Sequence, residues 1–194
     1  MLKTAFLVLF TLVIAIGGGA ASVWYALDAR AGVGAVTIGG WTAYPDMGTP
    51  DADPYSKARV AREGVLALGP AEGLTFTAQR DSSGQRLRRQ CNYRIEGDVP
   101  SARFWTLHAS DDAGAVIGSD KPRPAALHSY NAIRAADNSI SVAVGPHPAP
   151  GNWLALSGSG PMSFVLTLYD TTIATSTELD DIALPQLRKV GCDA

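Results

Sequence analysis

Cysteines, histidines, clustered arginines and adjacent carboxylates are the residues in this chain whose types could do chemistry, and their spacing limits which chemistry is open. Cys91 and Cys192 lie about 100 residues apart, far from the Cys-x-x-Cys spacing of a redox pair. In an exported domain they suit a disulfide that pins the final segment to a strand; the alternative is a buried Cys91 and a free Cys192. His108, His128 and His147 lack the short helical or paired spacing of a zinc site, so no metal and no cofactor is expected. Gly158-Ser159-Gly160 does not make the nucleophile-elbow motif. Asp111 with Asp112, and Asp180 with Asp181, are sequence neighbours whose side chains diverge in an extended chain, so both pairs read as turn residues. No catalytic residue is assigned.

Two looser groupings remain. Arg86, Arg88 and Arg94 share one strand parity and form a basic face that could receive a carboxylate, a phosphate or an acidic partner. A solvated face whose charges discourage edge pairing explains the same residues. Arg103, Trp105, Asn152, Trp153 and Tyr169 could line a pocket for a polar ligand. The simpler account is a core tryptophan beside a hydrogen-bonded asparagine turn.

The elements that must position these residues follow from periodicity. Leu74, Phe76 and Ala78 alternate with Thr75 and Thr77, and Asp81-Ser82-Ser83-Gly84 supplies a turn. Leu87, Cys91, Tyr93 and Ile95 then share one face, which predicts a hairpin. Residues 103–109 carry Phe104 on one parity and Trp105 and Leu107 on the other, the pattern of a central strand covered on both faces. Asp111-Asp112-Ala113-Gly114 turns the chain toward a short return at Val116-Ile117. The segment around Pro122 and Pro124 is loop, and 125–134 is either a short helix or a strand. Ile140, Val142 and Val144 mark a half-buried strand; the stretch from Pro148 through Leu154 interrupts strand formation, with Trp153 expected to fasten the turn to the core. Met162, Phe164, Leu166 and Leu168 face one way in a further strand, and a last strand runs near 184–190 into Cys192.

Asp53 followed by Pro54 signals a helix start, with an acidic N-cap and proline in the first turn. This helix is expected to reach about Leu68, turning Val60, Ala61, Gly64, Val65 and Leu68 toward the sheet and Lys57, Arg59, Arg62 and Glu63 outward. Its basic residues suit a solvated face, or else anionic headgroups.

The longest pattern is Thr4 to Leu27, a run of about 24 uncharged residues that matches a bilayer core about 30 Å thick. Read as a signal peptide, it has Lys3, an apolar region from Ala5 to Ile16 and small residues from Gly17 to Ser22 at a cleavage site. Retention as an anchor is favoured, because the run continues through Val23 to Leu27 with Trp24 and Tyr25 placed as an interfacial aromatic belt. Orientation is weakly specified, since Asp28 and Arg30 nearly cancel. The organisation is therefore a transmembrane segment over 1–27, a neck and linker over 28–50 and an exported β-rich domain over 51–194. The fold class is mainly β: an antiparallel, sandwich-like domain with one or two short helices behind an N-terminal transmembrane helix. A net charge of -2 among 194 residues offers no basic excess, which argues against nucleic acid as a partner.

The run Pro150-Gly151-Asn152-Trp153-Leu154, the strand end Leu168-Tyr169-Asp170 and the segment Asp51-Ala52-Asp53-Pro54-Tyr55 resemble the bacterial domain-of-unknown-function family 1214, in its short membrane-anchored members. The resemblance implies a β-rich sandwich and no established reaction. Longer relatives join this domain to one numbered 1254, which implies an envelope protein of that kind as a possible partner.

Two functions from different classes follow. The first is a non-catalytic accessory module, tethered to the inner membrane with its C-terminal domain in the periplasm, that engages a partner protein, lipid or glycan. The alternative is an envelope enzyme acting on a glycan or lipid.

Overall fold

The computed structural model describes residues 2–28, 34–64, 66–118, 124–175 and 182–192. Arg30, Val65, Pro122 and the Asp180–Asp181 pair lie outside these residues. Helix α1 (Leu2–Asp28) contains a 24-residue stretch, Leu2–Tyr25, long and apolar enough to cross a membrane or to serve as a signal sequence. Two of its hydroxyls bond within the helix, Thr11 Oγ1 donating to the Leu7 carbonyl and Ser22 Oγ to the Gly19 carbonyl, both at 2.8 Å. A helix in apolar surroundings needs such internal bonds.

Among the described residues, ten strands follow in two facing sheets. The first is antiparallel throughout and holds β1 (Val36–Ile38), β2 (Trp41–Ala43), β3 (Gly73–Ala78), β5 (Phe104–Ser110), β6 (Ala126–His128) and β9 (Ser163–Tyr169), in the order β1-β2-β3-β9-β5-β6. The second holds β4 (Cys91–Gly97), β7 (Ile140–Gly145), β8 (Asn152–Ala155) and β10 (Gln186–Cys192), in the order β10-β4-β7-β8. Its β7–β8 pair is parallel, so the sandwich is mixed in one place. Period-two alternation turns Phe76, Trp105, Leu107 and Phe164 of one sheet against Tyr93, Ile95, Val142 and Leu154 of the other, all buried. The rings of Tyr93 and Phe164 meet edge to face across the interface at 5.9 Å.

The expected hairpin from β3 into β4 is replaced by a crossover. Its turn exists, with Arg80 bridging Arg86 and the Leu87 N–H donating to the Gln79 carbonyl. Beyond Leu87 the chain leaves the six-stranded sheet. Leu87 is fully buried, and the Tyr93 hydroxyl accepts the Arg88 N–H at 2.8 Å, so β4 starts in the opposite layer.

Helix α2 (Pro54–Glu63) begins as expected: Asp53 caps it, accepting from the Tyr55 and Ser56 amides at 2.9 and 3.1 Å. It stops before Leu68 because Gly64 takes a left-handed conformation, φ 63, and donates back to the Val60 carbonyl. The inward face also differs from expectation. Ala61 and Gly64 are exposed, while Arg59 is buried with its guanidinium 5.0 Å from the Tyr44 ring and Nη1 bonded to the Tyr44 hydroxyl at 3.0 Å. A short helix whose one branched aliphatic residue is Val60 has little apolar stripe, and stacking on an aromatic ring favours a guanidinium facing in.

Residues 125–134 resolve into β6 and a turn. Trp153 does not enter the core. Strand β8 begins at Asn152, Leu154 takes the core position, and the half-buried Trp153 donates from Nε1 to the Gly145 carbonyl at 3.1 Å. Cys91 and Cys192, directly opposed on β4 and β10, form a disulfide. Beside this seam, Trp41 Nε1 donates to the Pro185 carbonyl at 2.7 Å, and Ser82 and Leu187 exchange two hydrogen bonds.

Candidate functional site

The outward parity of β5 and its neighbours gathers aromatic rings at one corner of the six-stranded sheet. Phe104 stands opposite Tyr169 on β9, and Thr106 stands opposite His128 on β6. Around Phe104 lie the rings of Tyr130 at 5.4 Å, His128 at 5.7 Å and Tyr169 at 5.8 Å, tilted 35–44° to it. These tilts make a shallow trough. Tyr130 is 79% exposed, while Phe104, His128 and Tyr169 are half-buried. At the rim, the exposed side chains of Arg103 and Asp170 lie 3.6 Å apart. Asp170 has φ 50, a left-handed backbone uncommon outside glycine and often met at functional sites.

Beneath the trough the polar accounting is incomplete. Trp105 Nε1, His128 Nδ1 and Ser129 Oγ are buried without a hydrogen-bond partner among the described residues, where Asp81 Oδ2 is the other such side-chain atom. The residues adjoin along the β5–β6 pair, the Ser129 amide donating to the Trp105 carbonyl at 3.0 Å, but the Trp105 side chain points into the core and His128 shares the outward parity of Thr106. A buried group left unpaired by protein or water costs on the order of 1–3 kcal/mol.

The loop carrying Tyr130 is held from the second sheet. Asn152, on β8 and buried, accepts the Ile133 amide through Oδ1 and donates through Nδ2 to the Ile133 and Ser141 carbonyls, at 2.7, 2.7 and 3.1 Å. The Asn131 carboxamide in turn accepts the His128 amide at 2.8 Å.

The proposed pocket residues are thus brought into one region but into different layers. Arg103 and Tyr169 form the rim and wall, Trp105 lies behind them in the core, and Asn152 holds the loop. Trp153 donates to the Gly145 carbonyl, at the end of β7. Phe104, His128, Tyr130 and Asp170 are absent from that sequence-based set. Their signal is parity: Phe104 and Tyr169 point outward from strands whose inward positions are already filled by Trp105 and Leu168. The three arginines of the expected basic face lie on different stretches of chain. Arg86 lies 3.9 Å from Asp112 and precedes β4, Arg88 sits at the crossover, and Arg94 lies 3.7 Å from Glu96 on β4.

Other chemistry is sparse among the described residues. No group of three or more histidine, cysteine or acidic side chains comes together to hold a metal there. Asp111 caps its own turn, accepting from the Ala113 and Ala115 amides. His108, on the outer parity of β5, is held below its ordinary value of 6.5 by burial, which disfavours the charged imidazolium.

No curated protein matches the sequence. Among solved structures, the VPA0106 protein from Vibrio parahaemolyticus shares the fold at a TM-score of 0.58 and 16% identity, the match covering 72% of this chain and 36% of that one. An uncharacterized protein from Burkholderia cenocepacia aligns at a TM-score of 0.44 and 15% identity, covering 92% of this chain and 51% of that one. The chain therefore spans well under two thirds of either structure. The family model described as "Protein of unknown function (DUF1214)" matches residues 72–173, from the start of β3 through β9, and the chain belongs to that family.

Proposed function

We propose that this protein is a non-catalytic binding module, tethered to the inner membrane with its β-domain in the periplasm, and that the Phe104 trough takes a glycan. The observation that carries the reading is the cluster of aromatic rings at one corner with the exposed Arg103–Asp170 pair at its rim. A pyranose ring has an apolar C–H face and a rim of hydroxyls. Tyr130, Phe104 and Tyr169 offer surfaces for the first, and Arg103 and Asp170 offer planar donors and acceptors for the second. The tether is supported by the apolar length of α1 and by exposed Trp24 and Tyr25 near its end. An oxidising compartment is supported by the Cys91–Cys192 bond.

A second reading, docking of a separate envelope protein carrying a domain of unknown function 1254, has one observation in its favour: the chain matches only 36% and 51% of two longer proteins. Calorimetry on the full chain in detergent, titrated with peptidoglycan fragments and lipopolysaccharide-derived oligosaccharides, separates the two. Binding that falls about tenfold in Tyr130→Ala supports the glycan site. Failure of every oligosaccharide to bind, with a stable protein complex recovered from native membranes, replaces it with the docking reading.

A further inference from the structure

Arg62, in the last turn of α2, stands with its guanidinium 5.9 Å from the Trp24 ring of α1. Among the described residues this ring contact is its one specific interaction, with no carboxylate or hydrogen-bond acceptor engaged. A guanidinium offers five N–H donors in a planar fork, a geometry that matches phosphate oxygens. Beside it runs a groove lined by Gly19, Ala20, Val23, Trp24 and Arg62. A methyl group built on Gly19 would meet nothing within 4 Å, so the floor of the groove is open along the backbone.

Resting on the reading that α1 lies in a bilayer, we infer that this groove holds one anionic phospholipid, with its phosphate on Arg62 and an acyl chain along Gly19, Ala20 and Val23. Depth favours this occupant. Trp24 is 69% and Tyr25 77% exposed at the end of the apolar stretch, the level where aromatic rings meet lipid headgroups. Charge favours it as well. Lys57 and Arg62 are both exposed on α2, and an anionic membrane surface attracts such residues.

The test uses the full chain in nanodiscs of phosphatidylglycerol or phosphatidylcholine, released into native mass spectrometry, with lipids retained per chain as the readout. Wild type is expected to retain phosphatidylglycerol in preference to phosphatidylcholine. Arg62→Ala is expected to lower phosphatidylglycerol retention about fivefold and leave phosphatidylcholine unchanged, with Arg62→Lys between them. Equal retention of the two lipids, or no change in Arg62→Ala, overturns the lipid site. Displacement by millimolar inorganic phosphate overturns it too, by making this a phosphate site. Alkaline carbonate extraction of native membranes reads the anchor separately. A chain that washes off refutes the bilayer placement together with the lipid, whereas one that stays while Arg62→Ala has no effect refutes the lipid alone.

Discussion

At the β4–β10 seam a disulfide joins residues 101 positions apart, Trp41 and Pro185 are hydrogen-bonded, and Ser82 and Leu187 bond each other twice. At the Phe104 corner, three buried polar atoms have no partner among the described residues and Tyr130 stands in solvent. The two regions belong to one sandwich, yet their side chains serve different ends. One crosslink and mostly paired polar groups hold the seam, where Asp81 Oδ2 is the buried side-chain atom without a partner among the described residues, while the corner carries three such atoms.

If that contrast is right, substitutions should separate stability from binding. The largest effect belongs to Cys192→Ser, which removes the crosslink without opening a cavity in the core, since Cys192 is exposed. Urea unfolding should show a loss of about 2–5 kcal/mol, with glycan affinity unchanged in the folded protein. A loss well under 1 kcal/mol would mean that the hydrogen bonds alone hold the seam. Asn152→Ala comes next, because it leaves the Ile133 amide and carbonyl and the Ser141 carbonyl without their partner. It should cost about 2 kcal/mol and also weaken binding, since the loop bearing Tyr130 loses its hold. Tyr130→Ala should change stability by no more than about 0.5 kcal/mol while lowering glycan affinity about tenfold. Equal losses in both measurements would show that the corner is structural after all.

Acid should sharpen the same contrast with the smallest effect. His108 has a folded pKa below its ordinary 6.5, so unfolding takes up a proton as the solution becomes acidic. Its contribution to stability is complete above about pH 6.5 and is lost as pH falls toward the folded value, a dependence that His108→Gln should flatten in thermal melts. Burial pushes Asp81 upward, but the Ser83 hydroxyl and the Gln85 and Ser83 amides outweigh it and hold the carboxyl below 3.8. The seam should therefore keep the Asp81 contribution until the pH drops below about 3.8.

Much of the fold was legible because burial imposes period two. Leu74, Phe76, Ala78, Cys91, Tyr93, Ile95, Phe164, Leu166 and Leu168 face inward as alternation requires. The Asp53–Pro54 helix start was readable too, since capping is a local matter. What alternation cannot say is which sheet a strand joins. The turn at Asp81–Gly84 looks like a hairpin turn and is one, but the destination of β4 depends on Leu87 and Tyr93 meeting a core assembled from distant segments. The inward turn of Arg59 was hidden for the same reason, because Tyr44 lies 15 residues away. At the corner, Arg103 and Tyr169 could be named from their types, whereas His128 and Tyr130 acquire meaning only once β6 is paired with β5.

The position of β9 has a consequence for how the molecule assembles. It lies between β3 and β5 in the sheet, pairing with Gly73–Ala78 on one side and Phe104–Ser110 on the other. The strand that completes the middle of the larger sheet thus arrives after both neighbours and after three strands of the other sheet. Closing such long loops precedes most of the favourable contacts, which slows folding. Until it happens, β3 and β5 present open edges to other chains. A holding chaperone should therefore raise the refolding yield most when added before residues 163–169 are in place.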